Sequence, residues 1–199
     1  TWTWSSTVTI RGKGITLQGA GIDQTVIRDG TANDLLSITA SPVHAMTRVT
    51  GLTFDVNGVS KTDGRGTVAV FGSNGGGRFR LDTFKMLRLR DRGVMVLMEG
   101  TQLSGVIDSC TIEAPLNGDA HGVHIEGSGP QESDQFNYPL NLGTANAIYV
   151  EDCTFNYASP NDGALDAYTG ARYVFRHNTV NGTTIGHHGA DSGEGRGVQ

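Results

Sequence analysis

Ile107-Asp-Ser-Cys-Thr-Ile112 and Val150-Glu-Asp-Cys-Thr-Phe155 are near copies of one another. Three further segments fall in the same register: Val49-Thr-Gly-Leu-Thr-Phe54, Leu81-Asp-Thr-Phe-Lys-Met86 and Phe175-Arg-His-Asn-Thr-Val180. The shared template is an apolar residue, two mostly polar residues, a small or apolar residue, usually Thr, then an apolar residue. Its fourth position holds Leu52, Phe84, Cys110, Cys153 and Asn178, at successive separations of 32, 26, 43 and 25 residues. A base period of about 25 residues with two insertions fits these separations. Such a period suits a coil of three short strands joined by turns. A coil of this size cannot bury its own apolar face, so coils stack, with parallel strands roughly 4.8 Å apart.

Other segments agree. Thr7-Val-Thr-Ile10, Ile15-Thr-Leu17, Thr67-Val-Ala-Val70, Gly93-Val-Met-Val-Leu97, Gly122-Val-His-Ile125 and Ile148-Tyr-Val150 alternate or nearly alternate, and each is followed within three residues by Gly or Asp. Helical spacing is nearly absent. The expected fold class is all-β: a right-handed, single-stranded parallel β-helix, with crossover sterics deciding the hand. An antiparallel sandwich is the alternative, but it does not call for a recurring template of this length. Residues 1–199 are read as one such domain, with the option that it is a segment of a longer solenoid that continues in further coils or a capping subunit.

Composition narrows the partners. The 199 residues are 37% hydrophobic, enough for a core, and 29 Gly without a three-residue period exclude collagen and mark many tight corners. The net charge of −5 is spread thinly with no basic run, which argues against a nucleic-acid surface. No apolar stretch approaches the roughly 20 residues of a membrane helix. The opening TWTWSSTVTI is polar and alternating, unlike a signal peptide.

The template and the Gly-bounded strands resemble the pectin-lyase-like family of parallel β-helices, most clearly from Thr47 to Gly189. That resemblance implies a secreted or cell-surface protein and a polysaccharide partner. At this level phage tailspikes, adhesins, polysaccharide lyases and glycosidases all look alike, so activity has to be read from the site.

Cys110 and Cys153 share one template position on neighbouring coils. Rung spacing lies within the range for a disulfide, but in-register parallel neighbours point the same way, so the expectation is two buried thiols packing as small hydrophobes. Asn178, next in the column, is expected to satisfy backbone groups of its own and the next coil.

Chemistry-bearing residues concentrate in the second half, where five of the six His lie. Outward positions on early coils are aliphatic (Ala69, Met95, Leu97), whereas later coils bring Asp119, His121, His124, Glu126, Asp162, Asp166, Tyr168, Arg172, Arg176, His177, His187, His188 and Asp191. If Val123 and Ile125 face inward, His124 and Glu126 face out. If Leu165 and Ala167 face inward, Asp166 and Tyr168 face out. Stacking then sets His124 beside Asp166 and Glu126 beside Tyr168, with His187 or His188 extending the row.

Asp can orient an imidazole, and the imidazole can move a proton near neutral pH. The catalytic candidates are therefore His124, Asp166, His187, His188 and Glu126. Asp166 with Glu126 or Asp162 is the carboxylate pair a glycosidase would need. The substrate-binding candidates are Tyr168, Arg172 and Arg176, the arginines for sugar carboxylates, with Tyr138 of the insertion Gly127–Thr144 for ring stacking. No residue is assigned as a metal ligand, although the His–Asp–His row suits a divalent metal and a cation such as Ca²⁺ stays open as cofactor. Gly186-His-His-Gly189 resembles the Gly-His-Gly element of polygalacturonases, but the Asp-Asp and Arg-Ile-Lys of that family are missing. The leading reading is a lyase or glycoside hydrolase acting along a groove on the C-terminal coils. The competing one is a non-catalytic module of adhesin or tailspike type.

Overall fold

The computed structural model describes residues 1–43, 45–73, 76–98, 103–115, 120–127, 142–160, 163–168, 171–186 and, for the backbone alone, 196–198. Nineteen strands occur among them. They begin with β1 (Trp2–Trp4), β2 (Val8–Arg11), β3 (Thr16–Gln18), β4 (Val26–Asp29), β5 (Leu36–Thr39), β6 (Thr47–Asp55) and β7 (Val68–Phe71). They continue with β8 (Gly77–Leu87), β9 (Arg92–Leu97), β10 (Leu103–Asp108), β11 (Thr111–Ala114), β12 (His121–Glu126) and β13 (Ile148–Glu151). The last are β14 (Thr154–Tyr157), β15 (Gly163–Tyr168), β16 (Arg172–Arg176), β17 (Thr179–Asn181), β18 (Thr184–Ile185) and β19 (Arg196–Val198). No helix among the described residues is long and apolar enough to cross a membrane.

The chain is a parallel β-solenoid. Every strand pair among the described residues is parallel, which removes the antiparallel sandwich. One seven-stranded sheet stacks β2, β5, β7, β9, β12, β15 and β18; we call it the B face. The twelve-stranded sheet forms the other two sides of each coil, as β10 and β11, β13 and β14, or β16 and β17 show. In two coils β6 and β8 run unbroken around the corner between these sides.

That corner explains the template. Its third position is Gly51, Thr83, Ser109, Asp152 or His177, and each has a positive φ, between 51° and 69°. A left-handed residue swings the chain through the corner and returns the fourth position to the core. The ladder is Leu52, Phe84, Cys110 and Cys153, all buried, with Asn178 half-buried at its end. The first positions stack in register as Val49, Leu81, Ile107, Val150 and Phe175. Asn178 bridges back to the preceding coil: its Oδ1 accepts from the Cys153 N–H (2.9 Å) and its Nδ2 donates to the Val150 carbonyl (2.8 Å).

The cysteines correct the sequence expectation. Cys110 and Cys153 form a disulfide across adjacent coils, their Cα atoms 4.5 Å apart. Ser109 and Asp152 immediately precede them in left-handed geometry, so the side chains leave a turning backbone rather than a straight rung.

Polar ladders line the outside of the twelve-stranded sheet. Arg48 clamps Asp82 through two hydrogen bonds (2.6 and 2.8 Å), and Arg80 clamps Asp108 (3.0 and 2.8 Å). The loop between β6 and β7 is pinned by Lys61, whose buried ammonium pairs with Asp29 and donates to the carbonyls of Thr31 and Asn33, both at 3.0 Å. All three ammonium protons thus have an acceptor, the condition for burying a charge.

Candidate functional site

The outer side of the B face carries two columns. The first runs Ala69, Met95, His124, Asp166, and the second Phe71, Leu97, Glu126, Tyr168. The stacking expected from alternation, His124 beside Asp166 and Glu126 beside Tyr168, is the observed register. The aliphatic early coils and polar late coils share these columns, so Met95 forms an apolar floor one rung from His124. Both are buried, at 0% and 5% exposure.

Strict alternation fails at one place, and the failure builds the site. Val123 faces the core, and a Cβ on Gly122 would also point inward, 2.6 Å from Tyr157 Oη and 2.9 Å from Phe155 Cε1. Ala164 and Leu165 on the next coil both belong to the core as well. The pairing is irregular between Gly163 and Leu165. Two consecutive inward residues reverse the phase, as a bulge does. His121, which alternation from Val123 would turn inward, therefore shares the outer side with His124. Their ring centroids are 6.0 Å apart. His121 pairs in register with Gly163, where a Cβ would come within 3.3 Å of its ring. A residue without a side chain there gives the ring its room.

Four side chains converge. His124 Nδ1 lies 3.0 Å from Asp166 Oδ2, and its Nε2 lies 3.0 Å from Glu126 Oε1. His121 Nδ1 is 3.8 Å from the same Asp166 oxygen. The Glu126 contact has hydrogen-bond geometry. Burial pushes the His124 pKa down, but the flanking Asp166 and Glu126 outweigh it and hold the imidazole above its ordinary value. The Glu126 side chain is 30% exposed and that of His124 6%, so Glu126 is the end of the cluster that meets solvent.

The other sequence candidates are distributed as follows. Tyr168 ends β15 on the same side, next to Glu126. Arg172 and Arg176 lie on β16 in the other sheet. Arg176 is bound there to Glu151 (2.7 Å) and lies 4.9 Å over the Tyr149 ring, while Arg172 is buried. Neither shares the B face with His124. Tyr138, Asp162, His187 and His188 lie outside the described residues, as do Asp119 and Asp191. His121 is the member that alternation did not select. A Gly directly before the inward Val, present as both Gly93-Val94 and Gly122-Val123, is the local signal of such a break.

Comparison of the chain with protein-family models, with curated proteins and with solved structures finds no match.

Proposed function

We propose that this solenoid is a carbohydrate-active enzyme of the pectin-lyase-like, right-handed type, a polysaccharide lyase or glycoside hydrolase that takes an extended polysaccharide along the outer side of its C-terminal coils. The supporting observation is the His124 imidazole set between Asp166 and Glu126, with Glu126 open to solvent. In this reading Glu126 exchanges a proton with the substrate. His124 holds its carboxylate in place, and Asp166 holds the imidazole. Tyr168, one rung along, offers a ring face for a sugar. The parallel stack extends this side along the solenoid axis, which suits an extended polymer better than a compact ligand. A secreted or cell-surface location draws support from the Cys110–Cys153 disulfide, since such bonds persist in oxidising compartments.

The competing reading, a binding or structural module, draws support from the same histidine. Both ring nitrogens of His124 already face carboxylates, and the ring is buried.

The test is incubation with a panel of uronic-acid and neutral polysaccharides, following the absorbance of unsaturated ends and the release of reducing sugar. Enzymatic function predicts products from the wild type and a loss of about 10²-fold or more in Glu126→Gln at unchanged melting temperature. Binding without products on every polymer would transfer the assignment to the non-catalytic module.

A further inference from the structure

We propose that His121, His124 and Asp166 form a binding site for one divalent transition-metal ion of the zinc class. Ligand atoms of the three side chains lie within 4.8 Å of one another. The two separations to the shared Asp166 oxygen are 3.0 and 3.8 Å. In a tetrahedral shell with bonds of about 2.0–2.1 Å, neighbouring ligand atoms are about 3.3 Å apart. The two contacts to Asp166 need shifts of about half an ångström or less, and the widest pair in the cluster, at most 4.8 Å apart, must close by up to about 1.5 Å.

Three features separate this arrangement from a chance polar group. The first is the hydrogen bond on the far side of His124. Its Nε2 is 3.0 Å from Glu126 Oε1, so Glu126 can hold the ring proton on Nε2 when an ion takes Nδ1. A carboxylate behind a ligating imidazole is the usual support of such a ligand. The second is the Nδ1 to Asp166 approach itself, a ring nitrogen and a carboxylate oxygen 3.0 Å apart, close to the spacing of two ligands on one ion. An ion bound there replaces the Nδ1 proton, so metal and proton compete for this nitrogen. The third is the phase break at Gly122 with the missing side chain at Gly163, which together turn His121 onto the same side and make room for its ring.

The donor set names the metal class. Two imidazoles and one carboxylate suit zinc and its neighbours, whereas Ca²⁺ takes six to eight oxygens. Three protein ligands leave a fourth position for water or a substrate oxygen, the pattern of catalytic rather than structural zinc. The inference concerns the same cluster as the polysaccharide reading but does not depend on it, because metal uptake is measured without substrate.

The experiment uses the full chain without a polyhistidine tag, stripped with a chelator and titrated with Zn²⁺ by calorimetry and with Co²⁺ by its visible absorption. One ion per chain is expected, with a raised melting temperature and no competition from millimolar Ca²⁺. His121→Ala should weaken binding at least tenfold while leaving the fold intact, since His121 is partly exposed. Glu126→Gln should weaken it about 10–100-fold through the loss of support. Failure of the wild type to bind either ion overturns the proposal, and so does equal binding by wild type and His121→Ala. Metal uptake with no polysaccharide cleaved would leave this site standing and remove the enzymatic reading. Cleavage by the metal-free protein with no uptake would do the reverse.

Discussion

Breaking the Cys110–Cys153 bond should cost this solenoid a large share of its stability. The bond closes a loop with a sequence separation of 43 residues. In the chain-entropy account a loop of that length restricts the unfolded ensemble by about 13 cal/mol/K, or about 4 kcal/mol at 25 °C. The native state loses little on reduction, because both sulfurs are buried in the ladder between Phe84 and Asn178 and two thiols still pack there. The effect should therefore come through the unfolded chain, which expands. With a urea m-value of about 2–3 kcal/mol/M, a loss of about 4 kcal/mol moves the midpoint down by about 1.3–2 M. Urea unfolding followed by far-ultraviolet circular dichroism, with and without reductant at every denaturant concentration, measures the shift. Thiol titration in urea should find no free thiol without reductant and two with it. Two reactive thiols in unreduced protein would restore the buried-thiol reading. An unchanged midpoint after complete reduction would refute the entropic argument.

Two further outcomes test the frame that holds the site. Gly122→Ala should destabilise the protein by about 1–3 kcal/mol, because the added methyl meets the Ala164 carbonyl oxygen at 2.8 Å as well as Tyr157 and Phe155. Gly186→Ala, with only one contact at 3.9 Å, should leave thermal unfolding nearly unchanged. Acid should also weaken the fold. For Asp82, burial raises the pKa, but hydrogen bonds from Arg48 and Thr50 outweigh it and hold the carboxyl below its ordinary value. Asp55 behaves likewise under Arg88 and Arg28. A folded-state pKa below the unfolded one contributes stability above about pH 4 and loses it as pH falls through the folded value. Asp82→Asn should be less stable than wild type at pH 7 and should lose less stability between pH 7 and pH 3, measured by urea midpoints at each pH.

What the sequence disclosed and what it hid have a common physical origin. A stacked coil repeats its inward residues, so Leu52, Phe84, Cys110, Cys153 and Asn178 announce the solenoid and its register without any structure. Period-two alternation then carries outward from any inward residue, which is enough to set His124 beside Asp166 and Glu126 beside Tyr168. Both devices fail where the backbone leaves the regular strand. At the corners, left-handed Ser109 and Asp152 change the direction of the next side chain, and a register argument on straight rungs therefore missed the disulfide. At Gly122 the phase reverses, and His121 changed sides unnoticed. Between β15 and β16 the chain turns into the other sheet, so Arg172 and Arg176, close to Tyr168 in sequence, ended on a different side of the coil. Each omission falls at an irregularity in an otherwise periodic molecule. That is where a solenoid can place side chains that simple repetition would keep apart, and the His121, His124 and Asp166 cluster depends on one such place.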